Sequence, residues 1–205
     1  MSAEGRKFRL DETLPISLLV GLAFVICYGG SNYLASLSGQ RYHVHLPAEL
    51  GIPFVPAFAP MYLSVQLMLC SLLLFFRDGT ALKPVAAIFL FELLTASVVF
   101  IVCPAELGFP PSIPSEAWNS WFRLADTLNL DYNLVPSLHV SFAFTAAELV
   151  AGRASFALGA LYRLWAGAIA LSTLLLHQHH VIDVFTGILL AYVSTKVVYQ
   201  PSEAL

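Results

Sequence analysis

Apolar residues run along this chain in long blocks separated by short polar stretches. A membrane-crossing helix needs about 20 such residues. Six blocks are candidates, at approximately Leu14–Ala35, Phe58–Phe76, Pro84–Val102, Val135–Ala151, Phe156–Leu176 and Val181–Tyr199. The pattern predicts an all-α protein, an integral membrane bundle of six transmembrane helices forming a single domain over residues 1–205. A signal peptide is the competing reading of the first block. Its length, and the lack of an A-x-A site after it, favour a retained helix.

Composition agrees. Hydrophobic residues make up 58% and charged residues 11% of the chain, against about 25% charged in soluble domains. A formal charge of −3 with no basic stripe excludes a nucleic-acid partner. Cys27, Cys70 and Cys103 are too few and too scattered for a disulfide framework or a CxxC metal site. Basic residues set the orientation. With a cytoplasmic N-terminus, Arg6, Lys7, Arg9, Arg77, Lys83, Arg153 and Lys196 fall at inner ends, while only Arg41 and Arg123 fall outside. That positive-inside bias predicts that both termini are cytoplasmic.

Two polar clusters interrupt the apolar pattern. STLLLHQHHVIDVFTG at 172–187 places His177, His179, His180 and Asp183 within one turn region, and NLVPSLHVS at 133–141 carries Ser137 and His139. On the predicted topology both reach the outer side at similar depth. Ionisable groups are costly in lipid, so such a convergence marks function. His179 and Asp183, four apart, share a helical face, and the carboxylate can accept an imidazole N–H and fix the tautomer. The other ring nitrogen is then free to attack or to take a proton. His139 would arrive from another helix as a proton donor. Pro136 suits a helix start, whose free N–H groups favour an anion, and Ser137 adds a hydroxyl there. Together these suggest phosphoryl transfer. A metal site is the alternative, since imidazole and carboxylate suit zinc or iron, but only His139 is at hand as a further ligand. His177 alone could simply face water.

The motifs resemble those of the type 2 phosphatidic acid phosphatase (PAP2) superfamily, which carries PSxH and a later SRxxxxxHxxxD on a six-helix core. Here the first is Pro136-Ser137-Leu138-His139; the second is Ser172-Thr173, five residues, His179, three residues, Asp183. The resemblance implies His179 as the phosphorylated nucleophile, Asp183 as its orienter and His139 as the acid for the leaving alcohol, with no metal or other cofactor. Ser137, Ser172, Arg123, His180 and Asn133 are the expected substrate-binding residues. The chain departs from the pattern twice. Thr173 stands where the family has arginine, and the loop after the third block lacks the KxxxxxxRP motif, leaving Arg123 as its one basic residue. Fewer charge-assisted contacts disfavour a phosphate dianion. That leans toward the branch similar to inositol-phosphoceramide and sphingomyelin synthases.

Outside the motifs, Ser115 could cap an amphipathic helix over about 116–128, with Trp118, Trp121, Phe122, Ala125 and Leu128 on one face. It would act as an interfacial anchor or as a lid. Arg163 is expected to pair with Glu92 or Glu148; an ion path through them is the sharper alternative. The expected function is hydrolysis of a lipid phosphate or pyrophosphate at the outer face of a bacterial inner membrane, through a phosphohistidine. The alternatives are transfer of a phospho-headgroup between lipids, and a non-catalytic binding or transport protein. The expected partners are the lipid phosphate substrate and the bilayer.

Overall fold

The computed structural model describes residues 7–198. Arg6 and Tyr199, used above to orient and bound the helices, lie outside them. Seven α-helices form among the described residues: α1 Leu10–Ser36, α2 Ala59–Ser71, α3 Gly79–Val102, α4 Glu116–Leu128, α5 Leu138–Ala151, α6 Phe156–Leu175 and α7 Val181–Val197. Two short parallel strands, β1 Tyr42–His43 and β2 Ala105–Glu106, pair Tyr42 with Ala105 and His43 with Glu106, joining the loops after α1 and α3.

Four helical rods are long and apolar enough to cross a membrane: Leu10–Ser36, Pro56–Leu74 (α2 with its flanking turns), Gly79–Val102 and Phe156–Leu175. The expected count of six is therefore not reached by length. α5 has 14 residues and α7 has 17, roughly 21 and 25 Å at 1.5 Å per residue, short of a hydrocarbon core of about 30 Å. The reason is local. α5 starts at Leu138 rather than near Val135, because Ser137 takes the extended N-cap conformation and its Oγ accepts the Val140 N–H. Pro136, expected in the first turn, precedes the cap.

The helix starts that pack at the other end are tied by carboxylates. Asp78 caps α3 by accepting the Ala81 N–H at 2.9 Å, and Glu12 of α1 accepts the Gly79 N–H at 2.8 Å. α1 thereby lies along α3, while α5 packs against α6 and α7. The apolar core, with Met68, Phe76, Ile88, Leu93, Phe100 and Ile169 fully buried, lies between α2, α3, α5 and α6.

Polar groups inside such a bundle need internal partners, since lipid offers none. Ser71 bonds Tyr162 at 2.7 Å, and Trp165 Nε1 donates to Ser64 at 2.7 Å. Of the two carboxylates considered for Arg163, Glu148 takes it, with Nε and Nη2 bonds of 2.7 and 2.8 Å. Glu92 instead accepts from Thr145 of α5 and Ser194 of α7, pinning three helices together. α5 and α7 meet backbone to backbone at Gly187, where an added Cβ would stand 2.6 Å from the Ser137 carbonyl oxygen and 3.1 Å from Val140 Cβ.

Gly187→Ala is expected to lower the melting temperature of the detergent-purified protein, at an overpacking cost of about 1–3 kcal/mol. Gly30→Ala, where a Cβ meets nothing within 4 Å, should leave it unchanged or raise it, because alanine favours helix over glycine. Thermal unfolding of the two variants side by side checks this.

Candidate active site

The site grows out of the turn between α6 and α7. α6 ends at Leu175, and the chain reverses at His177, whose φ of 57° lies in the left-handed region. Histidine visits that region more readily than most residues. The Gln178 and His179 N–H groups both donate to the Thr173 carbonyl, at 3.0 and 3.2 Å. His177 holds its strained place through both ring nitrogens. Nε2 donates to the Ile52 carbonyl at 2.8 Å, which leaves Nδ1 to accept from the Ser112 hydroxyl at 3.1 Å. Its ring also stacks on Phe109, centroids 4.0 Å apart.

His180 is the N-cap of α7. Its N–H donates to Asp183 Oδ2 at 2.8 Å, a capping arrangement that uses an acid three residues into the helix. The same oxygen stands 3.3 Å from His179 Nδ1. One carboxylate oxygen therefore both starts the helix and orients the histidine. His179 and Asp183 are fully buried, and His179 Nε2 and Asp183 Oδ1 have no hydrogen-bond partner. With Nδ1 protonated toward Asp183, the His179 Nε2 lone pair is unblocked.

The second imidazole comes from α5. The His139 ring lies 6.1 Å from that of His179, tilted by 56°. It stacks on Tyr62 of α2 with centroids 4.3 Å apart, and Tyr62 OH is 3.3 Å from His139 Nδ1. With Nδ1–H donating to the Tyr62 oxygen, His139 Nε2 is the nitrogen left to exchange a proton. The two histidine helices are further joined by the Ser137 N–H, which donates to the Asp183 carbonyl at 3.1 Å.

A second carboxylate meets the same turn. Glu49, from a one-turn helix at Pro47–Gly51, accepts from His180 Nδ1 at 3.1 Å and from the Val181 N–H at 3.0 Å through Oε2. Its Oε1 accepts the Leu46 N–H at 3.3 Å. The Gly108 N–H donates to His180 Nε2 at 3.0 Å, so Nδ1 carries the ring proton. Burial, the largest influence, pushes the His180 imidazole below its ordinary value and outweighs the pull of Asp183 and Glu49. Desolvation pushes Glu49 up, but the Val181 and Leu46 N–H groups and His180 together hold it below the usual carboxylate range.

The remaining expected site residues divide. Asn133 Nδ2 donates to the Tyr28 carbonyl at 2.7 Å, drawing the segment before α5 down into the bundle. That contact lies about 12 Å short of the α1 end at Ser36. Ser172, one helical turn below the His179 loop, is buried and donates to the Ile169 carbonyl. Arg123 does not join them: it is exposed on α4, with Nε donating to Asn119 at 2.9 Å. Arg41 is held by the carbonyls of Ser36, Ser38 and Gln40 and lies over the Tyr132 ring. Among the described residues no three His, Cys, Asp or Glu side chains are grouped as a metal site requires. His177 and His180 have committed both nitrogens elsewhere.

The sequence signalled neither Tyr62 nor Glu49. Tyr62 lies inside an apolar run, and Glu49 resembles any solvated loop acid. α4 matches its expected bounds, although Ser115 makes no side-chain cap bond. Its Phe122 and Ala125 pack with Ala59, Tyr62 and Leu176, while Trp121, Leu124 and Leu128 stay exposed. The helix thus roofs Tyr62 while presenting apolar side chains outward, combining features of the two roles considered for it.

Below His139 an apolar cavity of about 440 Å³ runs between α1, α2, α3 and α5, lined by Phe24, Tyr28, Leu73 and Phe89 among others. Its rim residues Ser17, Gly21, Gln66 and Cys70 are exposed, so it opens sideways between α1 and α2.

No curated protein and no solved structure matches the chain. The PAP2 superfamily matches residues 63–204, a span that holds α3 to α7, His139, His179 and Asp183. A match over more than half the chain, containing both histidine motifs, places the protein in the PAP2 superfamily.

Proposed function

We propose that the protein is a membrane lipid phosphatase that hydrolyses a lipid phosphate or pyrophosphate through a phosphohistidine, with its site on the outer, periplasmic side of a bacterial inner membrane. The observation that carries this reading is the buried, unpartnered His179 Nε2, with Nδ1 on Asp183 and the His139 ring 6.1 Å away. Family membership supports phosphatase or phosphotransferase chemistry on lipid-like phosphates.

The steps follow from the groups present. His179 Nε2 attacks phosphorus, the bond from phosphorus to the leaving oxygen breaks, and His139, entering as imidazolium, gives that oxygen its Nε2 proton and is left neutral with its proton on Nδ1. Asp183 stabilises the imidazolium that forms, as an acceptor already in place. Tyr62, accepting from Nδ1–H, keeps Nε2 as the nitrogen that exchanges the proton. Water then attacks the phosphohistidine, His139 takes its proton, and the P–N bond breaks to release phosphate. The apolar cavity supports a lipid over a soluble phosphate, because it offers a hydrocarbon chain a bed that begins at His139.

The second reading replaces water by the hydroxyl of another lipid. It draws support from the charge inventory: Thr173 stands in the arginine position, and Arg41, Arg123, Arg153 and Arg163 are bonded away from the histidines. A singly charged diester asks less of such a site than a dianion does.

Phosphate release from a panel of lipid monoesters and pyrophosphates tests the first reading, with His179→Ala as control. Release abolished in the variant supports hydrolysis. A folded wild type that releases none from any of them favours headgroup transfer. Tyr62→Phe should lower kcat by up to about tenfold, the value of one hydrogen bond near 1.4 kcal/mol. Gly21→Phe places a ring where a Cβ meets nothing within 4 Å on the cavity rim. Excluding three methylenes at about 0.8 kcal/mol each would cut kcat/KM for a long-chain substrate roughly 50-fold. Turnover of a short-chain phosphate should not change; a chain-length series compares the two.

A further inference from the structure

Two consecutive histidines, each paired with a carboxylate, flank the start of α7. The first pair, His179 with Asp183, belongs to the chemistry proposed above. The second, His180 with Glu49, has no part in it: both His180 nitrogens are committed, and its ring is fully buried between Phe109 and His45, with centroids 4.5 and 4.9 Å away. A fully committed side chain next to the nucleophile needs another reason to be held so tightly.

The backbone supplies one. A helix start leaves N–H groups that only an outside acceptor can satisfy. Asp183 takes the His180 N–H, and Glu49 takes the next one, Val181, with the same oxygen that receives His180 Nδ1–H. Glu49 is thus bonded to the ring of His180, the residue after His179, and to the peptide N–H that follows it. The Leu46 N–H anchors its other oxygen, and the Gly108 N–H closes the far side of the His180 ring. Gly108 is in turn closely packed, since a Cβ there would stand 2.2 Å from the His45 ring. Two loops, joined by the β1–β2 pairing, therefore grip one helix turn, one through the buried Glu49 carboxylate and the other through the Gly108 N–H. A nucleophile works only when aimed; a misplacement of about 1 Å costs on the order of a hundredfold in rate.

We infer that Glu49 is a positioning residue for the proposed reaction: through His180 and the Val181 N–H it fixes the first turn of α7, and so the direction of His179 Nε2. The inference rests on the phosphohistidine reading for its kinetic part. It extends the site beyond the family match, which begins at residue 63. The titratable groups around the pair are His45 on the ring face, Asp183 in the same turn, and His177 across Phe109. The exposed His43–Glu106 pair lies further out on β1 and β2.

The test combines histidine NMR with kinetics on the full-length protein in detergent, using Glu49→Gln, Glu49→Ala, His180→Ala and the double variant Glu49→Ala/His180→Ala. In the wild type, ¹⁵N spectra should show His180 neutral with the proton on Nδ1, resisting protonation as pH falls through the ordinary histidine range. Glu49→Ala should lose that tautomer. Its kcat should fall 10- to 100-fold with KM within about twofold, because only transition-state alignment is lost. The double variant should be no slower than the slower single variant, as expected for residues acting through one another. Glu49→Gln keeps the shape and one acceptor oxygen, and should fall between wild type and alanine, which separates aim from folding if Glu49→Ala is unstable. Unchanged kinetics in a folded Glu49→Ala, or effects of Glu49 and His180 that simply multiply, would overturn the inference. A wild type with no activity on any lipid phosphate would sink the functional reading instead. The spectra would then still decide the pair, and a His180 proton on Nε2 would end the inference on its own.

Discussion

The site depends on one oxygen. Asp183 Oδ2 accepts the His180 N–H, as any good cap acceptor would, and also stands against His179 Nδ1. Helix initiation and histidine orientation are therefore one requirement. α7 cannot begin where it does without the carboxylate that the imidazole needs, and the imidazole cannot rotate without releasing the helix cap. The Asp183 carbonyl extends the arrangement by accepting the Ser137 N–H, which brings in the helix carrying His139. Gly187, one turn on, lets the two backbones come close enough for that bond.

The bilayer imposes the second constraint. Carboxylates and imidazoles cannot face hydrocarbon, and irregular backbone is tolerated at membrane depth only where protein surrounds it. Short α5 and α7 meet both conditions. They begin beneath the ends of the longer helices, and the space above them is filled by the loops after α1 and α3 and by α4. The stacked rings of His45, His180, Phe109 and His177 pack against the turn that starts α7.

Much of this was legible in the sequence, for definite reasons. Where apolar length alone decides, as in α1, α3 and α6, the runs and the helices agree to within a few residues. The four-residue spacing brought His179 to Asp183, but His179 precedes the cap at His180 rather than lying on α7, so the two meet through the cap and not across a shared helical face. Local competition was harder to read. Ser137 caps the helix by accepting the Val140 N–H on its side chain, and α5 starts three residues later than the apolar run. Contacts between distant segments left no trace. Tyr62 meets His139 across 77 residues, and Glu49 meets His180 across 131. Nothing near either residue marks it. The arginines show the converse: their number was plain, but their engagement with Glu148, Asn119 and helix-end carbonyls appears only in three dimensions.

The sideways opening of the cavity has a kinetic meaning of its own. On the reading proposed here, the substrate's chain slides in from the bilayer between α1 and α2, and its head never crosses open water. Encounter then takes place in two dimensions. The quantity that governs saturation is the mole fraction of the lipid in the membrane, not its amount per volume of solution. Diluting it with inert lipid would slow the reaction at constant total substrate, and activity would report the makeup of the surrounding membrane as directly as the quality of the catalyst.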